Sequence, residues 1–398
     1  MRLYIRNFRS IKEQEIELAP ITLVYGPNGT GKSSLLYALL TLKILVSNPN
    51  QQPPGFFNYQ FTSLGGLREV IFDHNISEEL EIGIAFEYKG FSLNYRVTLK
   101  DAGGTFIFDL DGPEATPAHL RLPVAFPYPG NQQTQETLSW KDREFTLFWN
   151  GLVFQAQPKE SDPEAQQNAA LLTQALNAPV ECLRRVSFVP LHRGFNQPTY
   201  SVSAVSPLAI ADTEVASLLA GDKDLEYRVS FYLEGILNRE LRVRGLVGTG
   251  LFSLDCVDKR IGLGVEVVND GFGVNQLVYL LAKALYKDAG LVGIEEPEIH
   301  LHPTAVRSLA QAMVRMVYEE GKQFVISTHS EPLVTAFLSL VAQDKLSPAE
   351  LACYLAIKDK KTSCFERQTV NEKGQIEGGL GSFMEGELEE IKAFLGLH

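Results

Sequence analysis

The chain has 398 residues, 36 basic side chains against 48 acidic ones and a formal charge of -12, so its overall field excludes indiscriminate binding to nucleic acid or anionic membrane. Hydrophobic residues at 45% and charged residues at 21% exclude collagen-like, coiled-coil and mainly disordered classes, and the length suits two or three domains or one large α/β domain with an insertion. The charged opening Met1-Arg2-Leu3-Tyr4-Ile5-Arg6 lacks the apolar core of a signal peptide and no apolar run reaches spanning length, so a cytoplasmic location without membrane contact is expected.

Leu3, Ile5 and Phe8, then Ile16, Leu18, Ile21, Leu23 and Val24, alternate with polar residues and read as strands. A Gly-rich turn at Gly26–Gly31 and a helix from Lys32 to about Val46 follow, closed by the Pro- and Asn-rich stretch Asn48–Gly55. Alternation from Leu80 to Leu110, broken at Lys89-Gly90 and at Asp101–Gly104, predicts a β-meander. The pattern weakens between Pro123 and Ala170, where Gly130–Gln133 and Gln155–Gln167 predict surface loops or a mobile insertion. Thr213 to Arg244 reads as helical. Beyond Leu251 strands and helices alternate: strand Val265–Val268, helix Asn275–Tyr286, strand Leu291–Ile294, helix Thr304–Glu320 and strand Gln323–Ser327. The expected organisation is α/β with a split core: a first half at 1–75, a β-rich meander at 76–125, an inserted middle lobe of loops and helices at 126–250, and a second half at 251–398. Cys182, Cys256, Cys353 and Cys364 lie too far apart for a metal-binding pair and read as reduced, buried small hydrophobes.

Gly26-Pro27-Asn28-Gly29-Thr30-Gly31-Lys32-Ser33 satisfies G-x-x-x-x-G-K-[ST] between a predicted strand and a predicted helix. Glycines let backbone N–H groups of Asn28, Gly29, Thr30, Gly31, Lys32, Ser33 and Ser34 curl around phosphates, and the helix N-terminus adds partial positive charge. In that arrangement Lys32 reaches the β- and γ-phosphates of ATP and the Ser33 hydroxyl ligates Mg²⁺.

Leu291-Val292-Gly293-Ile294 is a short apolar strand ending in Glu295 and Glu296, as a Walker B element requires: one acid on the Mg²⁺ side and one to polarise water. The second acid can turn toward the nucleotide at a strand end. Phe324-Val325-Ile326-Ser327-Thr328 is another buried-type strand, and it ends in His329, whose near-neutral pKa suits it to sensing a γ-phosphate or the attacking water.

These elements, with Ile294–Pro303, Ser327–Ser330 and the opening Ile5–Lys12, resemble the ABC-type ATPases of the SMC/RecF branch, in particular stand-alone AAA-type ATP-binding proteins related to the OLD family, without a Toprim domain. The resemblance covers both ends of the chain and leaves the middle unexplained. It implies a P-loop NTPase fold, with Glu295 as the Mg²⁺-side acid, Glu296 as catalytic base, His329 as switch histidine and Pro297–His302 as the turn that meets a second subunit. It also implies a signature loop ahead of Walker B at Asp270–Gln276, which in an ATP-bound homodimer closes over the partner's nucleotide. There Gly271 stands where a serine is common, leaving Gly273 and the helix N-terminus to serve. For the glutamine loop Gln60 is the candidate, with Gln51 and Gln52 as rivals.

Three other readings compete. Glu298, His300 and His302 could hold Zn²⁺ in a hydrolase site. A nuclease of the OLD type needs a further domain of order 100 residues, more than follows His329. An ATP-binding scaffold for a separate effector protein would load nucleotide without turnover. Arg184, Arg185 and Arg193 read mainly as solvated or ion-paired, with Arg193 facing nucleotide or the dimer interface as the lesser reading, and Arg6, Arg9 and Lys12 read mainly as an exposed basic hairpin, with contact to DNA as the lesser reading. DNA repair, defence against mobile elements and control of a partner all remain compatible roles.

Overall fold

The computed structural model describes the chain except residues 101–102, 113–116, 129–132, 161, 378 and 380–398. In chain order, β1 (Arg2–Phe8), β2 (Ile11–Glu17) and β3 (Ile21–Tyr25) lead into α1 (Lys32–Ser47) and the one-turn α2 (Leu67–Val70). Seven strands follow: β4 (Leu80–Tyr88), β5 (Phe91–Lys100), β6 (Gly103–Asp111), β7 (Ala118–Ala125), β8 (Thr134–Trp140), β9 (Arg143–Trp149) and β10 (Phe154–Pro158). Next come α3 (Pro163–Arg184), β11 (Val186–Val189), β12 (Tyr200–Ser201), α4 (Asp212–Gly221), α5 (Lys223–Leu237), β13 (Arg239–Leu246), β14 (Leu251–Asp258) and β15 (Leu263–Glu266). The remainder is α6 (Phe272–Leu285), β16 (Leu291–Glu295), α7 (Pro303–Glu320), β17 (Gln323–Thr328), α8 (Glu331–Ala342), β18 (Leu351–Asp359) and β19 (Thr362–Gln368).

The chain divides into two compact units, neither continuous in sequence. The first comprises Met1–Leu18, Tyr37–Val186 and Lys360–Thr362. Its larger sheet is antiparallel, in the order β2-β1-β4-β5-β6-β7, and its smaller one runs β10-β9-β8. Alternating burial along β5 and β9 gives each sheet one apolar face. Aromatic rings join the two faces, with Phe106 against Trp149 at 5.3 Å and Phe108 edge-on to Phe154 at 4.7 Å between centroids.

Residues 123–170 depart from the expected loops. They hold β8, β9, β10 and the start of α3, because outward polar residues on these strands dilute the alternation without abolishing it: Leu138, Trp140, Phe145, Leu147 and Trp149 all point inward. Asp162 caps α3 by accepting from Ala165 N, with Pro163 in the first turn. Gly130–Gln132 of the expected loop, and Asp101-Ala102 of the expected meander turn, lie outside the described residues.

The second unit comprises Ala19–Leu36, Ser187–Asp359 and the described residues from Ser363 onward. Its central sheet runs β11-β16-β17-β3-β18-β19, with β16, β17, β3 and β18 parallel. β3 and β16 are buried along their whole length, as strands covered on both faces must be. Leu277 and Leu281 of α6, Leu309 and Met313 of α7 and Phe337 of α8 supply covering apolar surface. A second sheet pairs β12, β14, β13 and β15. The helix expected to run to Arg244 stops at Leu237: Asn238 takes the left-handed conformation and closes α5, and β13 pairs with β14 from Arg239 onward. The strand expected at Val265–Val268 ends at Glu266 and passes into a short 3₁₀ turn.

Parallel register fixes the site. Glu295 pairs with Ser327 and Thr328 with Tyr25, so the C-terminal ends of β16, β17 and β3 reach one edge of the sheet together. Ligands of open α/β sheets gather at that edge. All four cysteines are free, yet only Cys256 and Cys353 are buried, while Cys182 and Cys364 are half-buried. Among the described residues no helix is long and apolar enough to cross a membrane.

Candidate functional site

β3 delivers its chain into a loop whose geometry only glycine tolerates. Gly26 has φ +141°, and a Cβ there would stand 2.4 Å from the Ala356 carbonyl oxygen, while Gly29 at φ +77° opens onto free space. The Thr30 hydroxyl donates to Pro27 O at 2.9 Å and closes the loop on itself. The Lys32 ammonium is buried and donates to Gly26 O and Pro27 O, both at 2.8 Å. Burial pushes its pKa down, and the nearby carboxylates of Glu296 and Glu298 oppose that shift. Asn28 and Gly29 are exposed at the mouth, Gly31 and Ser33 are half-buried, and Ser34 is buried in the first turn of α1 with its N–H donated to Gly31 O.

Across the sheet edge, Glu295 ends β16 with a buried side chain whose Oε2 accepts from Leu191 N at 3.3 Å. Glu296 leaves the strand in the left-handed conformation, φ +44°, and donates its N–H to Ser327 O at 2.8 Å. That turn ends the alternation of the strand at this point. Glu296 Oε1 lies 2.9 Å from Nδ1 of the half-exposed His329. Glu298 accepts from the Thr328 hydroxyl, which in turn accepts from Ser330 N at 2.9 Å. Its other oxygen, Oε2, is buried without a partner among the described residues, and burial raises its pKa.

Arg193 belongs to this group, against its main expectation as a solvated or ion-paired residue. Its guanidinium donates to Pro190 O at 3.0 Å, Glu295 O at 2.8 Å and Glu296 O at 2.9 Å, and burial pulls its pKa down to about 10. No local pattern announces this, since two of its three acceptors are backbone carbonyls 102 and 103 residues away. Thr328 and Glu298 were also unassigned to the site, although Thr328 directly precedes His329 and Glu298 follows Glu296 by two.

The Gly271–Gly273 loop opens α6. Gly271 takes φ +38° at the N-cap, and a Cβ on Gly273 would meet His300 O at 2.6 Å. Phe272 between them is 74% exposed, and its ring centroid lies 5.5 Å from that of His300. Asn275 in the next turn accepts from Phe195 N at 2.6 Å and donates to Phe195 O at 2.9 Å.

The Zn²⁺ reading does not survive this geometry. His300 lies against Phe272, His302 accepts from Thr304 N through Nδ1 as the cap of α7, and Glu298 is engaged by Thr328. Among the described residues no group of three or more His, Cys, Asp or Glu side chains is placed to hold a metal ion. The chemistry of Ser33 and the buried Glu295, one hydroxyl and one carboxylate, would suit a hard, oxygen-ligated cation such as Mg²⁺. Elsewhere Arg184 pairs with Glu181 at 2.6 Å and Arg185 is exposed at the end of α3. In the first unit Arg6 faces Glu13 across the β1–β2 hairpin and lies 3.9 Å from Glu81, Arg9 sits over the Tyr37 ring, and Lys12 is exposed. Gln60 is exposed with φ +68°, Gln51 is half-buried and Gln52 is exposed.

The chain resembles known proteins in sequence and in fold. The family described as "AAA domain, putative AbiEii toxin, Type IV TA system" matches residues 185–336, and a second AAA domain model matches residues 2–144. The chain is 23% identical over 350 residues to the OLD nuclease of Thermus scotoductus, covering 83% of this chain and 58% of that protein. It is 34% identical over 82 residues to the DNA replication and repair protein RecF of Protochlamydia amoebophila, covering 20% of this chain and 23% of that one. Among solved structures, the SmcHead bound to the C-winged helix domain of ScpA superposes with a TM-score of 0.51 at 12% identity, covering 93% of this chain and 98% of that chain. The fold is that of the SMC head and ABC ATPases, and the resemblance to SMC/RecF-like ATPases related to OLD proteins is borne out.

Proposed function

We propose that this chain binds Mg²⁺-ATP, hydrolyses it to ADP and phosphate, and uses the cycle as a conformational switch in which ATP closes a homodimer. The observation that carries this reading is the convergence of three strand ends: the Lys32 loop after β3, the Glu295-Glu296 pair after β16 and His329 after β17.

In this reading the loop amides from Asn28 to Ser34 and the Lys32 ammonium neutralise charge developing on the phosphates. Ser33 and Glu295 hold Mg²⁺, which supplies Lewis-acid polarisation of the phosphoryl oxygens when bound. Glu296 orients the attacking water and accepts its proton, and the His329 contact fixes the carboxylate. Gly271 and Gly273 at the head of α6, with the exposed Phe272, form the surface offered to a second copy and its nucleotide. Whether the closed dimer serves DNA repair, defence or a separate effector protein is a further step, and the nuclease named for the Thermus relative is a property of a protein of which this chain matches 58%.

The test combines phosphate release with light scattering on Glu296→Gln in the presence of Mg²⁺-ADP, Mg²⁺-ATP or no nucleotide. A doubled mass with ATP alone, together with turnover in wild type and none in the variant, supports the switch. ATP bound by wild type without turnover supports the scaffold reading, and equal masses with ADP and ATP rule out closure driven by the γ-phosphate.

A further inference from the structure

The three acceptors of the Arg193 guanidinium are the carbonyls of Pro190, Glu295 and Glu296. Two of them flank the point where the chain leaves β16 and enters the left-handed turn at Glu296. A positive φ on a non-glycine residue is strained and persists only where neighbours hold it. The planar guanidinium grips consecutive carbonyls through separate nitrogens, and the Glu296 N–H to Ser327 O bond holds the same peptide from the other side.

The segment carrying Arg193 is itself tied down. Two residues on, the peptide groups of Phe195 are bonded on both sides by the buried Asn275 side chain, and Gly194, at φ +126°, comes so close that a Cβ there would meet Asn275 Oδ1 at 2.7 Å. Asn275 stands in the first turn of α6, two residues beyond Gly273. Hydrogen bonds and the short run of chain between them therefore connect the head of α6, through Asn275 and the Gly194-Phe195 peptide, to Arg193 and on to the backbone beneath Glu296.

We infer that Arg193 is a positioning residue for the Glu296 carboxylate, and that the Arg193–Asn275 strut couples the Gly271–Gly273 loop to it. The inference rests on the ATPase reading for its kinetic consequence but not for its mechanical one. Movement of α6 on docking of a second copy would be passed to the turn that aims the base, so that turnover depends on what covers the loop.

Residue-resolved amide hydrogen exchange and steady-state kinetics test it together on Arg193→Ala, Arg193→Lys, Asn275→Ala and the double variant Arg193→Lys/Asn275→Ala. Exchange of the Glu296 amide should accelerate about tenfold or more in each single variant while Val292 to Ile294 of β16 keep wild-type protection. The kcat for ATP should fall on the order of 100-fold in Arg193→Ala with nucleotide affinity within about threefold of wild type, because a small misplacement of the base affects the chemical step alone. Lysine keeps the charge but offers no fork, so Arg193→Lys should not restore the rate; it also serves if the alanine variant fails to fold. Joint effects in the double variant should be no larger than those of the slower single one. Wild-type exchange and kcat in Arg193→Lys overturn the positioning role, and independent, multiplying effects of the two sites overturn the coupling. Should wild type hydrolyse no ATP, the ATPase reading fails while the exchange data still decide for or against the strut.

Discussion

His329 Nδ1 lies 2.9 Å from Glu296 Oε1, joining the ends of β17 and β16 by a side-chain contact beside the backbone bond from Glu296 N to Ser327 O. In the proposed mechanism Glu296 is the general base, whose orientation must be fixed before the water arrives, and that contact would supply it. Glu296→Gln should therefore bind nucleotide with turnover lowered about 10²- to 10⁴-fold, and His329→Ala should retain binding with a smaller loss. Single-turnover phosphate release separates the two. Full activity in His329→Ala would remove the histidine from the mechanism.

Gly273 and Gly235 are both helical glycines, and the structure assigns them opposite responses to alanine. In Gly273 the new Cβ would stand 2.6 Å from His300 O, a backbone atom with no freedom to swing away, so overpacking of about 1–3 kcal/mol exceeds the gain of about 1 kcal/mol in helix propensity. Gly235 is exposed in α5 with nothing within 4 Å, so only the propensity gain applies. Urea titration should lower the midpoint for Gly273→Ala and raise it for Gly235→Ala. Equal shifts of one sign would refute the steric account.

The Glu295 carboxylate and the Ser33 hydroxyl hold no nucleotide atom themselves in the proposed site, so the loss of either group should be felt through Mg²⁺. Wild-type affinity for a fluorescent ATP analogue should fall when EDTA is added, whereas Glu295→Gln should bind more weakly and respond little to EDTA. Lys32→Ala should lose affinity in both conditions, on the order of 10² or more for a removed charge-assisted contact. An EDTA response in Glu295→Gln equal to that of wild type would move the ion to other ligands.

The parts of this site written in contiguous residues were legible. Gly26–Ser33 announces its loop because glycine positions and a following helix are local requirements, and the apolar runs ending in Glu295 and Thr328 announce buried parallel strands. What stayed hidden depends on long-range backbone bonds. Arg193 meets Glu295 O across a separation of 102 residues, and nothing in Leu191-His192-Arg193 distinguishes it from a surface arginine. The sheet β8–β10 was missed for a different reason: β8 alternates only at Leu138 and Trp140, its other side chains facing outward, so its period-2 signal is two residues long. The strand β13 reads as helix because no Gly or Pro lies between Ile236 and Arg244, and α5 closes on Asn238 in the left-handed conformation.

Glu298 offers a test of the site's electrostatics without any nucleotide. Burial raises its pKa above the ordinary 4.5, with Glu296 adding to the shift and the Thr328 hydrogen bond and His329 opposing it. In the window between 4.5 and that raised value the folded state binds the proton and the unfolded state has lost it, so ∂ΔG_unfold/∂pH is negative. This carboxyl therefore lowers stability as pH climbs through the window, and its penalty is fully present above the folded pKa. Glu298→Gln keeps an oxygen for the Thr328 hydroxyl and cannot ionise. The variant's Tm should match wild type near pH 4 and exceed it at pH 8, the gap opening across the window. Thermal unfolding followed by circular dichroism at half-unit pH steps measures that gap directly. Parallel curves would mean that Glu298 is solvated or charge-compensated in solution, and would remove it from the set of groups that hold Lys32 charged.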